Sequence, residues 1–314
     1  MSAEAATADG KSDGLSTKAK VFIGLAIWLG GAIALVALIP SEGKNESFQP
    51  QEEFRLEPWI EIDVAGIDMS INRAVLYLFL AAALTCFAMT WIAKRMVDKP
   101  NKTQMAVELA YDLTKNNITR GNLHDPKLAS RWFAFIATLF FFIWFSNMIG
   151  YIPLPTNTHE KIDIFGVDIP ALAIYAATAN ISIPLVLTLV VWFAYNIEGV
   201  RKHGLIGYLK TFVPGGITGF AAIPLFAIEI ISHLVRIISL SVRLFANILA
   251  GHLLILFMAG GLAVLLGLSA LGVLTLALAI PFFLFEVVLV ATLQAFIFAT
   301  LTSIYIGGAT AEGH

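Results

Sequence analysis

Two tracts near the C-terminal end of the chain are almost continuously apolar and longer than a lipid bilayer requires. Together with four shorter apolar segments before them, they occupy residues 21–39, 74–93, 132–150, 171–195, 223–258 and 262–306. About 20 apolar residues suffice for a helix to cross the hydrocarbon core. The sequence therefore predicts an all-α integral membrane protein with about six hydrophobic helices, of which the last two form a long antiparallel hairpin.

The composition agrees with this class. Apolar residues make up 58% of the 314 residues and charged residues 13%, against roughly 25% charged residues in soluble domains. The net charge of −2 offers no basic surface for nucleic acid, and the single cysteine, Cys86, cannot form an intrachain disulfide. The sequence contains no metal-ligand cluster, glycine-rich phosphate loop or Ser/His/Asp arrangement, so we expect no cofactor, no metal and no catalysis by the chain alone.

Lysine and arginine are concentrated in alternate loops. Residues 94–131 carry eight of them and residues 196–219 carry three, whereas residues 41–73 and 151–170 are acidic or nearly neutral. Loops on the cytoplasmic side carry an excess of these cations. We therefore predict a multi-pass protein of the bacterial plasma (inner) membrane with both basic loops and both termini in the cytoplasm.

The chain divides by composition into four parts. We predict a cytoplasmic tail at 1–20, an extra transmembrane helix or a leader at 21–40, an acidic external segment at 41–73 and the main membrane domain at 74–314. A cleaved leader is the alternative for the second part, but its apolar core is long and no small-x-small site precedes Ser41. We favour a retained helix.

The fifth apolar tract carries a narrow polar stripe. At about 100° per residue, its members lie within about 40° of one line, with Ser239 flanking them: Glu229, His233, Arg236, Arg243 and Asn247. An arginine at the bilayer centre costs roughly 2.5–3.5 kcal/mol on insertion scales, and guanidinium stays protonated at physiological pH. Hydrogen bonding between helices explains serines but not three ionisable groups, so the stripe indicates a functional polar track.

The sixth tract supplies counterparts to this stripe. Glu286 and Gln294 interrupt it, eight residues apart, and Arg243 and His252 are nine residues apart. In an antiparallel hairpin, pairing Arg243 with Gln294 places His252 level with Glu286 to within one residue, around a turn near residue 269. Twenty-six helical residues from Arg243 to this turn span about 39 Å, so we expect both helices to be steeply tilted.

These motifs resemble a known family, the a subunits of F-type ATP synthases. The resemblance covers residue 74 to the C-terminus and is carried by Arg243-Leu-Phe-Ala-Asn247-(x)3-Gly251-His252, by Leu293-Gln294-Ala-Phe-Ile-Phe298, and by Glu229 fourteen residues before the arginine. The family often has an acid after Ala-Gly and a histidine on the last helix. This chain has the exchanged arrangement, His252 and Glu286, and an extra N-terminal helix.

The resemblance implies a stator subunit of the F0 sector that forms two proton half-channels against a rotating ring. The implied partners are the c-ring subunits, the b subunit stalk, the remaining F0F1 subunits and membrane lipid. Protons would enter at His252 and Glu286, pass to a ring carboxyl and be released beside Arg243, held by Gln294 and Asn247. The implied exit path runs along Ser239, Arg236, His233 and Glu229.

Other interpretations stay open at this point. A secondary transporter could bind an anionic solute at Arg243, although such folds usually show inverted repeats, and the first half of the sequence has no counterpart of the stripe. A purely structural scaffold leaves the intramembrane charges unexplained. His252 and Glu286 could form a structural ion pair, and Arg236 could only anchor the helix at the interface. Whether H⁺ or Na⁺ is carried depends on a carboxyl of another subunit.

Overall fold

The fold comes from a computed structural model. The described residues are 16–38, 56–64, 67–95, 101–155, 161–164, 167–170, 172–213, 217, 219–258 and 269–311. The chain separates into two compact units, one made of Met1–Gln49 and Leu256–Ile280 and the other of Pro50–Ile255 and Pro281–His314.

Five helices among the described residues are long and apolar enough to cross a membrane. They span Arg73–Trp91, Pro126–Gly150, Ser182–His203, Ala222–Leu256 and Ala277–Thr310. These spans confirm the predicted all-α membrane fold. The first predicted segment is also helical, as α1 (Thr17–Leu38), and its membrane crossing remains a prediction.

The smaller unit contains α1 and most of α8 (Ser269–Phe285). Side chains of α1 such as Phe22 and Ile27 are exposed, as expected for a helix that is apolar around its circumference. The turn was predicted near residue 269. Ser269 begins α8, and residues 259–268 before it lie outside the described residues.

The larger unit contains the remaining helices. In chain order they are α2 (Arg73–Arg95), α3 (Lys102–Asp112), α4 (Pro126–Gly150), α5 (Ser182–His203), α6 (Leu205–Lys210), α7 (Ala222–Leu256) and α9 (Ala291–Thr310). Short 3₁₀ turns occur at Ala177–Ala179 and Gly219–Ala221. At about 1.5 Å per residue, the 35 residues of α7 extend about 52 Å, well beyond the roughly 30 Å hydrocarbon core.

Capping residues move two helices away from their predicted bounds. α4 begins at Pro126, earlier than residue 132, because the Asp125 carboxylate accepts the Lys127 N–H at 2.9 Å and proline suits the first helical position. α5 begins at Ser182 rather than 171, where the Asn180 side chain accepts the Ser182 N–H at 2.9 Å. It continues to His203 because Gly204, at φ +72°, supplies the first break. The apolar content of the sequence does not reveal these side-chain contacts at the helix starts or the break at Gly204.

Two π-helical segments lengthen helices of the larger unit. Leu113–Arg120 continues α3, and Glu286–Val290 joins α8 to α9. Pro281 lies inside α8 one turn before Glu286, and a proline removes a backbone donor and crowds the preceding turn. The wider π turn then changes the direction in which the following side chains point.

Small antiparallel hairpins interrupt the two segments that were predicted to be external. The pairs are β1 (Pro58–Ile60) with β4 (Ile71–Asn72), β2 (Asp63–Val64) with β3 (Ile67–Asp68), β5 (Leu154–Pro155) with β8 (Leu172–Ala173), and β6 (Lys161–Ile164) with β7 (Val167–Pro170). These eight short strands are additions to the predicted helical fold and leave the membrane helices intact.

The largest apolar core joins α4, α5, α7 and α9. Ile136 and Ile143 of α4, Val191 of α5 and Ile248 of α7 are fully buried in it, beside Ala295 of α9. At one end, Arg131 of α4 donates to the buried Glu198 carboxylate of α5 at 2.7 Å. This packing fixes one face of α7 and leaves the opposite face free of contact with the larger unit's core.

Candidate functional site

Arg243 lies on the exposed face of α7. Its neighbours Leu240 and Leu244 are buried in the core, whereas Val242, Arg243 and Asn247 are exposed. Within the described part of the chain, the guanidinium forms no hydrogen bond or ion pair. The permanent charge is therefore presented outward from the helix bundle.

Arg243 shares its face of α7 with the exposed Ser239 and Asn247, and an exposed apolar row runs beside this face. The row consists of Ile231, Val235, Ile238 and Val242, which recur at helical spacing and are 58%, 53%, 61% and 39% exposed. In a membrane this face meets lipid or another polypeptide. Charged side chains in membranes almost always face a protein interior or a water-filled cavity, so a lipid-facing guanidinium is energetically unfavourable. An acidic or polar group, or water, beside the guanidinium would therefore lower its free energy at this face.

A first cluster, the Glu286 cluster, consists of Tyr151, His252 and Glu286. The Tyr151 hydroxyl donates to Oε2 of Glu286 at 3.3 Å, and the Tyr151 ring stacks on the His252 ring at 4.7 Å between centroids. His252 and Glu286 are 3% and 7% exposed. Instead of the direct pair considered from the sequence, a tyrosine connects the two groups.

The two ring nitrogens of His252 both face backbone carbonyl oxygens. Nδ1 lies 2.9 Å from the Ile248 oxygen and Nε2 lies 3.2 Å from the Gly150 oxygen. A neutral imidazole donates through one nitrogen only, whereas imidazolium donates through both. The carbonyl pair can therefore accommodate a proton bound at His252, next to a carboxyl that can accept one.

Tyr151 stays a hydrogen-bond donor at any physiological pH. Burial, followed by the charge of Glu286 and its hydrogen bond, raises the pKa of Tyr151 well above its usual range. The phenol therefore keeps its proton and can orient the Glu286 carboxyl without becoming charged itself.

Two glycines bring the parts of this cluster together. A Cβ on Gly251 would lie 2.2 Å from Oε2 of Glu286, and a Cβ on Gly150 would lie 2.4 Å from the Ala176 Cβ. Gly251 thus provides the space for the Glu286 side chain against α7. Gly150 lets the end of α4 pack closely on the segment before α5, which positions Tyr151 and the carbonyl facing His252.

A second cluster, the His233 cluster, consists of Tyr195, Glu229, His233 and Arg236. The Tyr195 hydroxyl lies 2.9 Å from Nδ1 of His233. On the other side of the ring, Nε2 lies 3.6 Å from the Glu229 carboxylate, which also accepts from Arg236 at 3.2 Å. Glu229, His233 and Arg236 form a continuous polar row on α7, seven to fourteen residues before Arg243, and Tyr195 contacts this row from α5.

Aromatic side chains enclose the His233 cluster. Phe212 stacks on the His233 ring at 4.7 Å, and the Arg236 guanidinium lies 5.5 Å from the centre of the Tyr305 ring. The Tyr208 hydroxyl donates to Asn196 at 3.0 Å, and burial raises the pKa of Tyr208 to about 12. An open cavity of about 470 Å³ reaches His233 and Tyr208 from the side of α5 and α6.

The predicted site residues thus fall into two clusters and an exposed row. Glu229, His233 and Arg236 come together, and His252 meets Glu286 through Tyr151, whereas Ser239, Arg243 and Asn247 are exposed. Gln294 is 5% exposed and faces the bundle. The hydrogen bonds expected from Gln294 and Asn247 to Arg243 are not present among the described residues. Gln294 is buried, whereas Asn247 and Arg243 are exposed.

Sequence reasoning missed Tyr151 and Tyr195. Tyr195 lies on α5 and Tyr151 directly follows α4, and the apolar pattern of these two helices gives no indication of which helix each tyrosine faces. Tyr151 is 135 residues from its partner Glu286. The available signal for Tyr151 was its place directly after Gly150, at the end of an apolar segment on the same predicted side of the membrane as the His252 end of the hairpin.

Comparison with known proteins shows the family of the chain. A family model described as the ATP synthase A chain matches residues 75–307. The protein named ATP synthase subunit a of Parvibaculum lavamentivorans is 33% identical over 271 residues, covering 84% of this chain and 94% of the relative. Those of Brucella ovis and Brucella abortus strain S19 are each 34% identical over 269 residues, covering 84% of this chain and 98% of the relative. The chain therefore belongs to the ATP synthase A chain family.

Proposed function

We propose that the protein is the proton-translocating stator subunit of an F-type ATP synthase F0 sector, working against a ring of c subunits. The observation that carries this proposal is Arg243, exposed on α7 beside an exposed apolar row of the same helix. A ring carboxyl arriving at this face would supply the charge partner that the chain itself lacks within its described residues.

The two clusters suit the two ends of a divided proton path. Along α7, His233 precedes Arg243 by ten residues and His252 follows it by nine, which correspond to about 15 Å and 13.5 Å. Each cluster contains a histidine, a carboxylate and a tyrosine in contact. These groups can pass a proton, whereas an arginine at physiological pH cannot release one.

On the entrance side, we propose that protons pass through the Glu286 cluster. His252 can hold a proton between two carbonyl oxygens, and Tyr151 links its ring to the Glu286 carboxyl. From there, the proton moves to a ring carboxyl. Once neutral, that carboxyl can face lipid and rotate away.

On the exit side, a returning ring carboxyl meets Arg243. A nearby positive charge favours the ionised carboxylate, so the proton leaves. It then travels past Ser239 and Arg236 to His233 and Glu229, where the Glu229 carboxylate already contacts both His233 and Arg236. The driving force is the membrane potential, about 2.3 kcal/mol per charge per 100 mV, together with any pH difference.

This assignment extends to partners and location. We propose that the c-ring covers the exposed face of α7, that the b subunit stalk and the other F0F1 subunits complete the assembly, and that both termini are in the cytoplasm of a bacterial cell. The basic segments support that orientation through Arg201 and Lys202 in the last turn of α5, Lys210 at the end of α6, and the cations between α2 and α4.

Reconstitution with and without the ring tests the proposal. The protein alone in liposomes should conduct no protons when a potential is imposed, and the protein assembled with the ring and stalk should conduct them and couple them to ATP hydrolysis. A secondary transporter would instead move a solute without the ring. Solute transport by the isolated chain, or coupled pumping by complexes lacking the chain, would exclude the proposed function.

A further inference from the structure

A polar pocket that shares no lining residue with the two clusters lies where the π segment Leu113–Arg120 meets the first turns of α4. Its volume is about 510 Å³, and its lining includes Lys115, Arg120 and His124. No aspartate or glutamate is among the residues that line it. The pocket therefore concentrates positive charge without an internal counter-ion.

The neighbouring carboxylates are engaged elsewhere. Asp112 accepts from the Asn116 amide, and Asp125 caps α4 through the Lys127 N–H. The Lys115 ammonium lies 5.2 Å from the centre of the Tyr111 ring. Among the described residues, Lys115, Arg120 and His124 form no ion pair. Two permanent cations and an imidazole beside the Ser130 hydroxyl are donors suited to a phosphate group.

The position of the pocket distinguishes a lipid from a dissolved anion. One wall of the pocket is formed by Phe133, which belongs to the membrane span Pro126–Gly150. The Phe133 ring meets the Tyr111 ring edge-on, with 5.2 Å between their centres. On α3, which the π segment Leu113–Arg120 continues, Met105 and Leu109 are 59% and 72% exposed. A cationic rim above an apolar wall matches a headgroup joined to acyl chains, whereas a free anion would use only the rim.

We infer that this pocket binds the headgroup of an anionic phospholipid. Lys115 and Arg120 contact the phosphate, His124 and Ser130 donate at its edge, and an acyl chain lies beside Phe133 on α4. Basic pockets at the cytoplasmic ends of membrane helices commonly bind such headgroups. A bound lipid would hold the π segment against α4 at the depth of the membrane interface.

Native mass spectrometry of the full chain in detergent tests this inference with phosphatidylglycerol as the probe. The pocket variant is Lys115→Gln/Arg120→Gln. The matched control is Lys102→Gln/Lys127→Gln. It removes the same amount of charge from exposed residues of α3 and α4 that do not line the pocket. At about 1 kcal/mol per cation, the lipid concentration for half-occupancy should rise about 30-fold in the pocket variant and remain unchanged in the control. Arg120→Gln alone, at an exposed residue, should shift it about fivefold and serves if the double variant does not fold.

Two further probes separate the lipid from other ligands. Phosphatidylcholine should not replace phosphatidylglycerol, and glycerol 3-phosphate should not displace it at equal concentration. The inference is overturned if pocket and control variants weaken binding equally, if neither variant weakens it, or if the zwitterionic lipid binds equally well. Displacement by glycerol 3-phosphate at equal concentration would also overturn it, since the site would then take a soluble phosphate.

Discussion

Replacing Gly251 with alanine should disable the proposed proton entrance while leaving the fold intact. The new Cβ would lie 2.2 Å from Oε2 and 2.4 Å from Cδ of Glu286. Carbon and oxygen atoms need roughly 3.5 Å, so the carboxyl must retreat by roughly 1 Å. Because the obstructed atoms are the end of a side chain rather than backbone, rotation of Glu286 relieves the clash.

That rotation breaks the contact on which the proposed relay depends. The Tyr151 hydroxyl already lies 3.3 Å from Oε2 of Glu286, so a further displacement of roughly 1 Å exceeds hydrogen-bonding distance. Misplacement by about 1 Å can cost about 100-fold in rate when groups must be aligned. We therefore expect passive proton conduction and ATP-driven pumping to fall by one to two orders of magnitude.

The assay is proton uptake into liposomes that contain the assembled complex, followed with a pH-sensitive dye. Gly308→Ala is the matched control, because a Cβ at Gly308 in α9 meets nothing within 4 Å. Adding Glu286→Asp to Gly251→Ala shortens the obstructed side chain and should restore part of the flux. Wild-type conduction by Gly251→Ala in complexes of normal composition would refute the proposed role of the Glu286 cluster.

Three other substitutions test separate parts of the account. Tyr151→Phe keeps the ring stacked on His252 but removes the hydroxyl, so proton conduction should fall about tenfold. Because the raised pKa keeps the wild-type Tyr151 protonated, the pH profile of conduction below about pH 9 should keep its shape. A new alkaline limb in the profile would contradict this. Tyr195→Phe removes the hydroxyl 2.9 Å from His233 and should slow proton release without changing ATP hydrolysis by the detached F1 sector; unchanged flux would exclude a role for Tyr195. Glu198→Gln weakens the 2.7 Å contact with Arg131. Because the arginine is largely exposed, the free energy of unfolding should fall by about 1–2 kcal/mol, seen as a lower melting temperature with normal proton flux per assembled complex. An unchanged melting temperature would argue against a stabilising contact.

The membrane helices were predictable because each depends on local composition. Runs of apolar residues are required wherever a helix crosses lipid, and they mark the five spans, including the long α7. Helix ends were less predictable, since they depend on single capping residues. Asp125 starts α4 earlier and Gly204 ends α5 later than apolar content indicates.

The candidate site was predictable only where it lies on one helix. Glu229, His233 and Arg236 share a stripe on α7, and the structure brings them into contact. Contacts between helices depend on rotation about each axis, which spacing within one helix does not determine. The π segment Glu286–Val290 alters that rotation just before Gln294, and Gln294 is buried whereas Arg243 is exposed.

The relation between His252 and Glu286 shows the same limit. Counting residues placed them at similar depth, and the structure has Glu286 packed against Gly251, the residue before His252. The count gave no indication of Tyr151, which enters from α4 and occupies the space between the two side chains. Only the tertiary fold brings the end of α4, with Tyr151 directly after it, to His252 and Glu286.

The central claim is that a cation unable to release its proton separates two water-accessible paths at the ring. ATP-driven proton pumping by complexes carrying Arg243→Lys tests it most directly, because lysine keeps the positive charge but can lose its proton when it is desolvated. The account predicts loss of coupled pumping despite normal assembly of the complex. Pumping at the wild-type rate by Arg243→Lys would contradict it.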